Sequence, residues 1–125
     1  MSKEANLLGA DPTGISLLHE LTLIESPSYD TAASERIARV IETHLEALGA
    51  QVRLIQTEAG TSLIADIPGT GAPVLFVGHT DTVWPVGTLD TTVPWGNSGD
   101  KITGPGVFDM KSGIVVMLLA LTRVA

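Results

Sequence analysis

The sequence contains no cysteine. Disulfide scaffolds and thiolate zinc sites are thereby excluded, and any metal the chain binds must be held by imidazole and carboxylate. Basic residues are also scarce. Seven Lys and Arg stand against fourteen Asp and Glu, giving a net charge of −7, and the seven are scattered along the chain. Nucleic acid and anionic membrane both call for clustered cations, so neither is expected as a partner. Long apolar runs are missing too. The longest, "IVVMLLAL" at 114–121, falls far short of the roughly 20 residues that span a bilayer. The N-terminus, "MSKEANLLGADPTG", has no apolar stretch of signal-peptide type, and a cytoplasmic location is the resulting expectation.

What is present suits a folded α/β chain. Apolar residues make up 44% of 125 positions, too many for a disordered segment. Leu17, Leu18, Leu21 and Ile24 recur at helical spacing, and "SPS" at 26–28 stops that helix. Asp30 or Thr31 can cap a second helix, whose apolar stripe is Ile37, Val40, Ile41, Leu45 and Leu48. Glu35 stands four residues before Arg39, and Gly49 supplies the stop. Three strands are predicted next: "QVRLIQT" (51–57), "SLIADI" (62–67) and the continuously apolar "VLFVG" (74–78), the last as a central strand covered on both faces. Residues 82–100 show no sustained period and read as one long irregular loop, which in a compact domain is usually functional. "KIT" at 101–103 reads as a short strand. From Lys111 onward the chain is helical and apolar nearly all round, so that helix should be buried. The order predicts an α/β fold with a mixed sheet flanked by helices. Because the sequence stops at "TRVA", without a polar tail, the expectation is the N-terminal part of a longer, truncated domain.

The chemistry-bearing residues sit in two short stretches, "FVGHTDTVWP" (76–85) and "GPGVFDMKSG" (104–113). On an extended chain residues i and i+2 point to one side, so His79 and Asp81 project into the same space beyond the third strand. A neutral imidazole is a good zinc ligand, and a carboxylate beside it can orient the ring. Two readings stay open here: half of a metal site, or a polar strand end that satisfies loop backbone groups. Asp109 follows a Gly-Pro-Gly turn and opens the last helix, a position that favours its anionic form. It is either an ordinary helix cap or a carboxylate able to bridge two cations. "GPGVFD" lacks the third glycine of a dinucleotide fingerprint and follows a weak strand, so nucleotide binding is not expected.

Together, "GHTDTV", the irregular loop and "GPGVFDMKSG" opening an apolar helix resemble the M20 metallopeptidases, with "LTLIESPSYD" similar to that family's early helix and turn. The family includes glutamate carboxypeptidases, aminoacylases and acetylornithine and succinyl-diaminopimelate deacylases, and "HTDTVWPVGTL" leans toward the glutamate carboxypeptidase branch. The resemblance runs from about Leu17 to the end of the chain. It implies a zinc-peptidase-like (phosphorylase/hydrolase-like) catalytic domain, of which residues 1–125 are the N-terminal part. The expected activity is metal-assisted hydrolysis of an amide or peptide bond, in N-acyl amino acids or at the C-terminal residue of short peptides. His79 is then a ligand of one metal, Asp81 the acid that positions its ring, and Asp109 the bridge between two metals. Zinc is expected, two ions per complete site, with cobalt or manganese as substitutes. The resemblance also implies a cis peptide bond between Asp109 and Met110.

The family's general base belongs to a Glu-Glu pair downstream of the bridging aspartate, and no such pair occurs in these 125 residues. The remaining ligands and the inserted lid domain, through which a parent homodimer would form, are missing as well. The chain is therefore expected to carry only part of a di-metal site and to be inactive alone. The competing reading is a non-catalytic α/β binding or interaction module. It is discriminated by whether the His79 and Asp109 side chains converge within one metal's reach. Smaller expectations concern His44, an edge or packing histidine, and His19, solvent-facing on the first helix. Trp84 and Trp95 either line a cleft or cap the core beneath the loop. Lys111 either tunes the charge of the site or is a solvated first-turn residue. Gly104, Gly106 and Gly113 serve backbone geometry near the ligands.

Overall fold

The computed structural model describes residues 12–124. Most of the N-terminal stretch read above, residues 1–11, lies outside the described residues. Helix α1 (Pro12–Leu23) buries Leu17, Leu18 and Leu21, the stripe expected from their spacing. Helix α2 (Thr31–Ala47) begins at Asp30, whose side chain accepts the Ala33 N–H at 3.0 Å, so the aspartate rather than Thr31 is the cap. It buries Ala33, Ile37, Ala38, Ile41 and Leu45. Gly49, at φ +88°, takes the left-handed turn that ends the helix, its N–H donating to the Glu46 carbonyl. Glu35, Arg39 and Glu42 pair on the solvent face, where such contacts add little.

Strands β1 (Gln51–Thr57) and β2 (Gly60–Asp66) form an antiparallel hairpin from Gln51 opposite Asp66 to Thr57 opposite Gly60. The second strand thus starts two residues earlier than its apolar pattern suggests. Gly60 lies so close to α2 that a Cβ there would come 2.6 Å from the Ser34 hydroxyl oxygen. Ser34 in turn accepts the Thr61 N–H at 2.8 Å, which fixes the hairpin on the helix.

The third predicted strand is corrected. Residues 74–78 join no ladder, and Val74, Leu75 and Val77 are each more than three-quarters exposed. Their composition suits a covered strand, but strand structure needs a hydrogen-bonded neighbour, and no strand among the described residues pairs with them. No single mixed sheet forms among the described residues, whose helices and small sheets are compatible with an α/β fragment. The described ladders are two separate antiparallel pairs, β1–β2 and the short hairpin β3 (Gly96–Ser98) and β4 (Lys101–Thr103). "KIT" is a strand as predicted. Its partner occupies residues 96–98, inside what reads as loop, because so short a strand has no period to detect. Between β2 and residues 67–81 lies an open groove of about 1240 Å³, floored by Ile41 and Leu45 of α2 and by apolar residues of the last helix.

That last helix, α3 (Ser112–Val124), follows one wide turn, Val107–Lys111. It buries Ile114, Val115 and Leu118 against α1 and α2, while Val116 and Val124 stay exposed. Burial is therefore one-sided, a correction to the expectation of a helix covered all round. No helix among the described residues is long and apolar enough to cross a membrane. Trp95 packs on the core, and His19 stacks on its ring with centroids 4.5 Å apart, so this histidine covers the tryptophan and does not simply face solvent. His44 is an edge residue, 3.4 Å from Glu20.

Lys111 is not a solvated first-turn residue. It is fully buried, and its ammonium donates to the Ile24 carbonyl at 2.6 Å, tying the end of α1 to the start of α3. Burial lowers its pKa to about 8 against the opposing pull of the Glu25 charge. An unfolded lysine titrates near ~10.4, so from about pH 8 upward the unfolded chain binds more protons than the folded one. Native stability should rise with pH across that window relative to Lys111→Met, by roughly 2–3 kcal/mol in total. Paired urea unfolding curves at several pH values check this, and a stability difference that stays flat would rule it out.

Candidate metal site

The site forms where the segment after residue 78 meets the wide turn before α3. Ser26, Pro27 and Ser28 leave α1 in extended form and run parallel to Thr80–Thr82, with an isolated bridge between Pro27 and Thr82. The Thr82 N–H donates to the Ser26 carbonyl at 2.8 Å, and the Ser28 N–H donates to the Thr82 carbonyl at 3.2 Å. The buried Ser26 hydroxyl donates to the Thr80 carbonyl at 2.8 Å. On the other side, Gly106 takes a left-handed φ of +75°, and a Cβ there would come 2.4 Å from the Thr82 side chain. Thr82 is thus clasped between the turn after α1 and the Gly-Pro-Gly turn. The two chemistry-bearing stretches meet at this residue.

Their side chains converge. His79 Nε2 lies 2.9 Å from Asp109 Oδ1. His79 Nδ1 lies 3.0 Å from the Asp81 carbonyl oxygen and 3.2 Å from Asp81 Oδ1. The Ser28 hydroxyl donates to Asp81 Oδ2. The His79 N–H is directed at the Met110 sulfur at 3.3 Å, so the backbone of the histidine motif meets a side chain of the wide turn. Asp109 and Met110 have non-helical backbone angles within the wide turn, and Asp109 is not a helix cap. The Asp109–Met110 peptide bond is cis, as the resemblance implies.

This geometry has an electrostatic consequence. With Nδ1–H donating to Asp81, a neutral His79 presents a lone pair on Nε2, and Asp109 presents another. Two acceptors at 2.9 Å repel unless a cation lies between them, either a proton or a metal. Burial works to lower the His79 pKa, but the bonds to Asp81 and Asp109 and the two carboxylate charges outweigh it, and the net shift is upward. For a tetrahedral zinc with bonds of about 2.0–2.1 Å, two ligand atoms stand roughly 3.3 Å apart. A few tenths of an ångström of opening would admit the ion. The pair fits as part of a metal site. It is not a complete one, since no group of three or more His, Cys, Asp or Glu among the described residues could hold an ion. The two side chains converge, whereas the binding-module reading expects them to point apart.

Sequence reading missed two features. Ser26 and Ser28 read only as a helix stop, and nothing in the sequence singles out Glu25. In the fold, the Glu25 carboxylate accepts the Gly87 N–H with both oxygens at 3.1 Å and the Leu89 N–H at 2.9 Å, pinning the loop that follows the histidine motif. The only local signal was the clustering of Glu, Ser, Pro and Ser after an apolar helix. Trp84, in that loop, is partly exposed beyond Asp81.

No family model matches the chain. Curated proteins do. Carboxypeptidase G2 of Pseudomonas sp. (strain RS-16) is 32% identical over 111 residues, covering 86% of this chain and 26% of that protein. Succinyl-diaminopimelate desuccinylase of Herminiimonas arsenicoxydans is 36% identical over 112 residues, covering 85% of this chain and 28% of the relative. The enzyme of the same name from Methylorubrum populi (strain ATCC BAA-705 / NCIMB 13946 / BJ001) is 35% identical over 120 residues, 89% of this chain and 30% of the relative. The chain thus spans between a quarter and a third of the length of these relatives. On this likeness the chain belongs to the M20 family of metallopeptidases.

Proposed function

We propose that this chain supplies part of the metal site of a hydrolase that cleaves an amide or peptide bond, in N-acyl amino acids or at the C-terminal residue of short peptides. The observation that carries the reading is the approach of His79 Nε2 to Asp109 Oδ1 at 2.9 Å while Nδ1 is held by Asp81. His79 and Asp109 would hold the metal, with zinc suited to this imidazole and carboxylate set and cobalt or manganese as substitutes. When bound, such a metal polarises a carbonyl and lowers the pKa of water. The chain's own residues do the positioning. Asp81 fixes the ring and its tautomer, leaving Nε2 free as the ligand atom. Asp109 keeps Oδ2 without a hydrogen bond among the described residues, available to a second cation in a two-metal site.

Amide hydrolysis is supported by the relatives, one named a carboxypeptidase and the others desuccinylases. A substrate closer to that of a glutamate carboxypeptidase is the narrower form of the proposal. The setting that goes with it is a cytoplasmic, zinc-peptidase-like catalytic domain. Residues 1–125 are its N-terminal part, and the parent dimerises through a lid domain encoded elsewhere. With no Glu-Glu pair in the sequence, the general base is not supplied here, and the chain alone should bind metal weakly without turnover.

Two measurements test this. In a calorimetric zinc titration the chain should bind, and His79→Ala or Asp109→Ala should each weaken binding by about tenfold or more. Binding should also weaken as pH falls, because protons compete for Nε2, and the raised His79 pKa starts that competition at a higher pH than for an ordinary histidine. Equal affinity in the wild type and His79→Ala would refute the site. In a hydrolysis assay with an N-acyl amino acid and saturating zinc, the chain should release no more product than Asp109→Ala. Metal-dependent turnover above that control would show the site to be complete.

A further inference from the structure

The turn after α1 makes two kinds of contact with the histidine motif. One is backbone pairing around Thr82, which any residues in extended form could provide. The other is specific to a side chain: the Ser28 hydroxyl donates to Asp81 Oδ2, while Asp81 Oδ1 faces His79 Nδ1 at 3.2 Å. Ser28, Asp81, His79 and Asp109 therefore stand in one line of polar contacts, with Ser28 at the outer end. An aspartate side chain has a broad torsion about its terminal bond, and a carboxylate half exposed to water has little else to hold its plane. The Ser28 bond occupies one oxygen and leaves the other directed at the ring.

We infer that Ser28 is a positioning residue for the metal site: its hydroxyl fixes the Asp81 carboxylate, which in turn holds His79 with Nδ1 protonated and Nε2 aimed at Asp109. The inference rests on the proposed metal reading for its purpose, but not for its geometry. Ser28 touches neither His79 nor Asp109. Its backbone N–H bond to the Thr82 carbonyl does not involve the side chain, and the residue is exposed, so losing the hydroxyl leaves the packing in place. Threonine keeps a hydroxyl on the same carbon and should replace it.

The test uses the whole 125-residue chain and two readouts. The first needs no metal: nitrogen-15 NMR of the His79 ring at about pH 9, where imidazole is neutral. The wild type and Ser28→Thr should show the Nδ1-protonated tautomer predominating, and Ser28→Ala should shift toward a mixture. The second is zinc affinity, which should fall about tenfold in Ser28→Ala and stay within about twofold in Ser28→Thr. Amide spectra of Ser28→Ala that match the wild type outside residues 26–30 and 78–82 separate positioning from a folding defect. A tautomer unchanged in Ser28→Ala overturns the inference, whatever the zinc result. A changed tautomer in a chain whose wild type binds no zinc upholds the positioning role and refutes the metal reading instead.

Discussion

An imidazole nitrogen and a carboxylate oxygen are brought to 2.9 Å by parts of the chain thirty residues apart. With Nδ1 carrying the ring proton, the contact needs a cation between the two atoms, and the surrounding structure sets their approach. It does so at Thr82. The turn after α1 holds this residue on one side by backbone bonds, and Gly106 closes on the other with no Cβ to keep it away. Lys111 adds a third tie, from the wide turn back to the end of α1. The helices and their apolar core matter to the site chiefly because they keep these three segments in register.

The polar groups of this region are arranged in layers. Asp109 and His79 are partly exposed at the gap. Asp81 and Ser28 stand behind the ring. Glu25 lies further out and secures the loop at Gly87 and Leu89. Beneath them is the ammonium of Lys111, fully buried, with one carbonyl as its hydrogen-bond partner. A buried charge is costly unless it is bonded, and here the Glu25 carboxylate partly offsets the burial.

Much of this was legible in the sequence, and for identifiable reasons. The stripe of α2 is a strong periodic signal with a cap at Asp30 and a glycine stop, and the helix lies where the pattern puts it. His79 and Asp109 stood out because each follows a change of element, and the fold brings them together. What stayed hidden depends on contacts between distant residues. The Ser26–Thr80 bond joins positions 54 apart and leaves no local trace. The burial of Lys111 was not legible, under either the site-charge or the solvated reading, because nothing near it in sequence hints at the Ile24 carbonyl, 87 positions away. The strand at 74–78 failed for the opposite reason. Its local signal is strong, but a strand is a property of a pair, and the described residues offer it no partner.

That unpartnered stretch has a bearing on how the chain behaves in a test tube. Val74 to Val77 present apolar side chains and amide and carbonyl groups without a strand partner to water, across a groove from β2, whose outer edge pairs with no strand among the described residues. Open edges of this kind readily accept foreign backbone, and the usual outcome is sheet-to-sheet association between copies. Neither a proline nor a charge interrupts the four residues to discourage it. The unpaired stretch is thus the place on this chain where added backbone would pair, separate from anything the metal pocket does.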